Sequence, residues 1–161
     1  MRKLKIYLDT SVIGNLDALD ALDKRTDTLM LWDDIISGEY DIFLSYVVFT
    51  ELDRCPEEKR RVLMRYIAQI QYSNIEVSAE ITALADEFIK HGILKQKSHD
   101  DAQHLAAAMV AGCDVVASWN FKHMVNHKTI SGVKIVSALT KYRDVSIYTP
   151  TMLLGGDDDD S

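Results

Sequence analysis

Three acidic residues, far apart in the chain, each occupy a place that packing alone does not explain. Asp9 closes LKIYLD, Glu51 lies in FLSYVVFTEL, and Asp101 heads a helix in SHDDAQHLAAAMVAGCDVVASWNF. Aspartate is depleted from strands, so Asp9 either works at the strand's tip or caps the helix that follows. Asp101 is either a ligand on a first helical turn or the second member of a Ser98-x-x-Asp101 capping box. Glu51 alone would read as a solvated helix residue, but its apolar neighbours Phe49 and Leu52 argue for a partly buried position. Bringing three such groups together is costly, because like charges raise one another's pKa. A divalent cation offsets that cost, and hard oxygen ligands select Mg²⁺ or Mn²⁺. The chemistry that follows is metal-assisted hydrolysis of phosphate esters.

Neighbours of the trio fill supporting roles. Asp100 beside Asp101 allows one acid to cap while the other ligates. Ala102, Leu105 and Ala106 form the buried stripe of that helix, which puts His104 on the exposed flank of Asp101 at i+3. Thr10 and Ser11 follow Asp9 as helix-capping types with hydroxyls free for a phosphate or water. Lys95, Lys97 and Lys122, with Lys90 and Lys128, are expected to ring the acidic site and track a single-stranded backbone, although lysines are also ordinary loop content.

The elements that must position these groups alternate along the chain. Residues 3–9 have period two and read as a strand. A short helix follows, then a second helix entered at Thr26 or Asp27 and stopped by Gly38. Asp41 to Ser45 is a strand, and Ser45 caps a helix over Tyr46–Asp53. Pro56, Glu57 and Glu58 open a helix reaching about Gln71. A strand over Ile75–Val77, a helix from Ser78 to Gly92, a helix over Asp101–Ala111 and a strand over Asp114–Ser118 come next. Val133–Val136 and Val145–Tyr148 read as late strands, with a short helix over Ser137–Lys141. Such alternation predicts a mostly parallel sheet covered by helices on both faces, with ligands bound beyond the carboxyl ends of its strands.

Bulk properties set limits. The 161 residues suit one domain, placed at 1–150, with 151–161 as a flexible tail. The net charge of -7 includes the run Asp157–Asp160; without those four acids, 21 acidic residues face 18 basic ones. Charge therefore neither favours nor excludes a polyanionic substrate. Two cysteines without CxxC spacing argue against a disulfide framework or zinc site. Lys5 and Asp9 interrupt the N-terminal apolar stretch, so no signal peptide or membrane segment is expected, and a cytoplasmic location is.

The opening LDTSVI, the mid-chain TEL and the segment DAQHLAAAMVAGCDVVASWNF together resemble the PIN-domain ribonucleases, in particular the VapC-like toxins, over about residues 4–126. The resemblance implies a three-layer α/β/α fold and an acidic site of Asp9, Glu51 and Asp101, using Mg²⁺ or Mn²⁺. A fourth site position, commonly acidic in the family, falls on Asn120, which leaves one charge fewer. It implies cleavage of RNA to 5′-phosphate and 3′-hydroxyl ends, a homodimer, and an antitoxin partner. Two other readings stand beside it. One is a non-catalytic RNA- or protein-binding module on the same scaffold. The other is a phosphatase of the haloacid-dehalogenase type, which Leu8-Asp9 and Asp100-Asp101 resemble but which wants an acid where Ser11 stands. His123 and His127 at i,i+4 lack the glutamate of a zincin. Trp119 could stack a base, though core packing explains it better. Lys59, Arg60, Arg61 and Arg65 read as a solvated helix face.

Overall fold

The computed structural model describes residues 2–155. Five strands form one parallel sheet in the order β3-β2-β1-β4-β5. The strands are β1 (Lys5–Leu8), β2 (Asp41–Ser45), β3 (Ser73–Ile75), β4 (Val115–Ala117) and β5 (Ser146–Tyr148). Helices α1 (Thr10–Asn15), α2 (Leu22–Ile36), α3 (Tyr46–Asp53) and α4 (Glu57–Ile67) come from the first half of the chain. Helices α5 (Ala79–Lys90), α6 (His99–Val110), α7 (His127–Leu139) and α8 (Pro150–Leu154) come from the second, with a 3₁₀ turn at Gln96–Ser98. Among these residues no helix is long and apolar enough to cross a membrane.

The pleat of β1 divides the core in two. Ile6 and Leu8 join Val12, Leu31, Trp32, Leu44 and Leu63 on the face covered by α1, α2 and α4. Tyr7 points the other way, into a cluster with Phe88, Leu105, Met109, Val116 and Val136 under α5, α6 and α7. A strand buried on both faces is the expected centre of a parallel α/β/α sandwich. Ile81, Leu84, Ala85 and Phe88 make the helical stripe of α5, and the buried alanines 106–108 let α6 pack closely between its neighbours.

The chain winds outward from β1 through β2 to β3, then returns to the other side of β1 for β4 and β5. The strand order therefore reverses between β1 and β4, where parallel sheets open a crevice at their carboxyl ends. Leu8 pairs in register with Ala117, so Asp9 and Ser118 emerge side by side into it.

Several boundaries differ from those predicted. Val133–Val136 is not a strand: it lies inside α7, where Val133 and Val136 are buried with Thr129 and Gly132 while Lys134 and Ile135 face out. That is a helical period, started by Asn126, whose side chain accepts from the Thr129 amide. The separate helix expected at Ser137–Lys141 is the end of the same element. Helix α2 starts earlier, at Leu22; β3 sits two residues earlier; α4 ends at Ile67. No Ser98 capping box forms, since α6 begins at His99 and the Ser98 side chain caps nothing. The domain boundary set at 150 falls on the first residue of α8, which packs on α2. The acidic run 157–160 lies outside the described residues.

Candidate active site

Asp9 has extended backbone and caps α1 with its own side chain, Oδ1 accepting from the Val12 amide at 3.3 Å. The same oxygen accepts from Ser11 Oγ at 2.6 Å, and Oδ2 accepts from Ser118 Oγ at 2.5 Å. Capping and site placement are thus one arrangement. Only 3% of Asp9 is exposed. Burial pushes its pKa up, against the nearby His104 and the hydrogen bonds from Ser11, Ser118 and Val12.

Glu51 comes from α3, whose start is fixed by Ser45 capping the Val47 amide. Its Oε1 accepts from Thr10 Oγ1 at 2.6 Å and lies 2.6 Å from His104 Nε2. His104 is not on an exposed flank as the helical spacing suggested: it is 1% exposed. Its other nitrogen lies 2.5 Å from the Tyr7 hydroxyl, itself 2.7 Å from Ser45 Oγ. A continuous chain therefore runs Ser45–Tyr7–His104–Glu51–Thr10, buried as far as His104 and half-buried at Glu51 and Thr10. Burial would strip His104 of its proton, but the hydrogen bond to Glu51 and the charges of Asp9, Glu51 and Asp101 outweigh it and raise its pKa. The Glu51 carboxylate can only accept, so His104 Nε2 donates to it. Glu51 responds in the opposite sense: burial opposes its charge, yet His104 and Thr10 hold its pKa below the ordinary value.

Asp101 differs from the other two acids. Among the described residues no hydrogen bond reaches its carboxylate. Burial, together with the charges of Asp9, Glu51 and Asp100, raises its pKa to about 6 in spite of His104. Asp100 turns away and pairs with Arg54 at 2.9 Å.

At the strand end after β4, Asn120 and Ser118 both make local bonds. Asn120 uses its carboxamide oxygen to accept from the His123 amide at 2.9 Å, closing a local turn. Ser118, two residues earlier, touches Asp9 and also accepts from the Asn120 amide. Trp119 is core: its ring nitrogen donates to Thr28 Oγ1 at 2.8 Å and its amide to Ser11 Oγ. Lys95, Lys97 and Lys122 do meet, with Lys128, around one cavity of about 210 Å³ that also takes in Ser98 and His123.

Tyr7 and Ser118 were missed by the sequence reading. A tyrosine at the inward position of a central strand is a buried hydroxyl in need of a partner, and that signal was present. Ser118 gave only its place at a polar strand end.

These donors suit a hard divalent cation in kind. Asp101 has both oxygens open, Glu51 keeps Oε2, and Asp9 Oδ2 carries one hydrogen bond out of two possible. In arrangement they are not drawn together: among the described residues no three His, Cys, Asp or Glu side chains form a ready metal centre.

No family model and no curated protein sequence matches the chain. Solved structures do. VapC20 of Mycobacterium tuberculosis, a toxin that cleaves the sarcin–ricin loop, superposes with a TM-score of 0.58 at 20% identity, over 73% of this chain and 92% of that one. VapBC2 of Rickettsia felis, bound to a DNA fragment from its promoter, gives 0.55 at 15% identity, over 91% and 98%. The fold is that of a VapC-like PIN domain. At these identities the likeness concerns the fold. Within the PIN fold of this chain, Asp9, Glu51, Asp101 and His104 share the crevice beyond β1 and β4, while Asp100 pairs with Arg54 and Asn120 accepts from the His123 amide at the strand end.

Proposed function

We propose that this chain is a metal-dependent ribonuclease of the VapC kind, the toxin of a toxin–antitoxin pair, acting on single-stranded or structured RNA. The observation that carries the proposal is Asp101, an unbonded carboxylate held among Asp9 and Glu51 with its pKa raised to about 6. An anion so placed gains by acquiring a cation. Asp9, Glu51 and Asp101 would hold Mg²⁺ or Mn²⁺. A bound ion supplies polarisation of a phosphate oxygen and activation of water.

The chain's own residues do the rest. Ser11 and Ser118 fix the orientation of Asp9 from two sides. Thr10 and His104 fix Glu51, and Tyr7 fixes His104. The ring of His104, bonded to Glu51 through Nε2, limits the repulsion among the three acids. An antitoxin and a second copy of the chain are the partners this reading expects.

The same scaffold serving only to bind RNA or protein is the second reading, favoured by the absence, among the described residues, of three acids already drawn together. One experiment separates them. Single-stranded RNA and tRNA are incubated with the protein in Mn²⁺ and in EDTA, and Mn²⁺ affinity is measured by calorimetry. Cleavage in Mn²⁺ only, lost by roughly 100-fold or more in Asp9→Asn and Asp101→Asn together with Mn²⁺ binding, is expected. Wild-type protein that binds no Mn²⁺ leaves the binding module standing.

A further inference from the structure

The cavity beside the acidic crevice is lined by Lys95, Lys97, Lys122 and Lys128. Among the described residues none of these four cations pairs with a carboxylate, whereas Arg2, Arg54, Arg60, Arg61, Lys134 and Arg143 all do. Four like charges around about 210 Å³ repel one another and focus a positive field into a concave wall. Lysines alone would be ordinary surface content. Ser98 is not: it is 7% exposed, lines the same cavity, stands at the cap position of α6 without capping it, and its hydroxyl has no hydrogen-bond partner among the described residues. With the rest of the residue buried, its hydroxyl opens only to the cavity and can donate to a ligand oxygen there.

We infer that this cavity is a phosphate subsite: Ser98 and the four lysines hold one phosphate of a single-stranded polynucleotide, next to the phosphate presented to Asp101. Two of its lining segments continue directly into the chain that carries the site. Ser98 precedes Asp101 by three residues, within the same turn of chain, and Lys122 follows the β4 end that carries Ser118. A strand threading past Asp101 therefore meets the lysines at its neighbouring phosphodiester. The inference rests on the ribonuclease reading for the identity of the strand, and on the cavity for the phosphate.

The test uses the full chain, a fluorescent single-stranded oligoribonucleotide and EDTA to prevent turnover, with affinity followed by anisotropy across a salt series. Lys97→Gln with Lys122→Gln is expected to weaken binding and to flatten the slope of log K against log salt by about 1.4, or about 0.7 for each lysine neutralised. Ser98→Ala is expected to weaken binding several-fold at an unchanged slope while its melting temperature holds. Lys59→Gln, on the far helix α4, serves as the control for general charge and leaves both unchanged. Wild-type slope and affinity in the lysine double variant overturn the subsite. Inorganic phosphate is the second probe: competition with the oligonucleotide that weakens in Ser98→Ala supports it. Phosphate binding with no oligonucleotide binding assigns the cavity to a free anion and overturns it as a backbone site. Binding that behaves as described without any cleavage in Mn²⁺ leaves the subsite intact and defeats the ribonuclease reading.

Discussion

Asp101 concentrates the physical tension of this molecule. Its folded-state pKa of about 6 stands above the 3.8 of an ordinary aspartate. Between those values the folded state binds more protons than the unfolded one, so stability falls as pH rises from about 4 to 6 and stays lower above it. Asp101→Asn removes the buried charge. In EDTA at pH 7.5 the variant is expected to melt roughly 2–4 °C higher than wild type, with the difference vanishing near pH 4, by differential scanning calorimetry. An unchanged melting temperature at pH 7.5 would mean that the carboxylate carries no such burden. At this scale the sequence was informative about acids and poor about their partners. Asp9, Glu51 and Asp101 stood out because carboxylates are rare at apolar strand ends and helix faces. His104 was misread because the helical period of α6 marks which side faces the core only when one side is solvated. Here seven of its residues are buried, His104 among them.

Helix α7 shows what element-level patterns convey and conceal. Val133, Ile135 and Val136 are β-branched and suggest a strand, but the cap at Asn126 and the buried series Thr129, Gly132, Val133, Val136 belong to a helix. Tertiary burial overrides propensity in such short runs. The strands β1 and β2, the Ser45 and Ser78 caps, and the stop at Gly38 (φ +86°) were legible because each has a local cause: a short apolar run, a side-chain cap, or a left-handed glycine. Gly132 has a different reason to lack a side chain. A Cβ there would come within 2.4 Å of Ile93 Cγ2 and 2.7 Å of Cγ1. Gly132→Ala would gain up to about 1 kcal/mol of helix propensity but lose about 1–3 kcal/mol to overpacking. A net loss of stability in urea denaturation is expected, reversed in large part when Ile93→Ala is added. Failure of the second change to restore stability would place the cost elsewhere.

For the whole molecule, Asp114 ties distant parts of the chain together at the end of the sheet opposite the site. It accepts from both terminal nitrogens of Arg2 at 3.0 Å, from the Lys5 amide at 2.8 Å, and from Arg143 at 3.3 Å. The hydrogen bond from Arg2 is the main reason its pKa falls to about 2. A carboxylate with a depressed pKa contributes stability above its unfolded value of 3.8, and that contribution fades as pH drops from about 4 to 2. Asp114→Asn is therefore expected to lower the melting temperature at pH 7 and to converge with wild type near pH 2, as followed by calorimetry across pH. The overall α/β/α architecture was readable from alternation alone, since only a parallel sheet accommodates that order of elements. The strand order was not, because nothing local in β4 states which side of β1 it will join.

The central place of β1 has one more consequence. Its backbone is bonded on both flanks, and the Asp9 amide itself donates to Ala117. Protons there will trade with solvent more slowly than almost any others, because only global opening frees them. Warming should thus preserve the acidic tip until the entire assembly lets go, so that loosening around Asp9 and cooperative melting share one temperature.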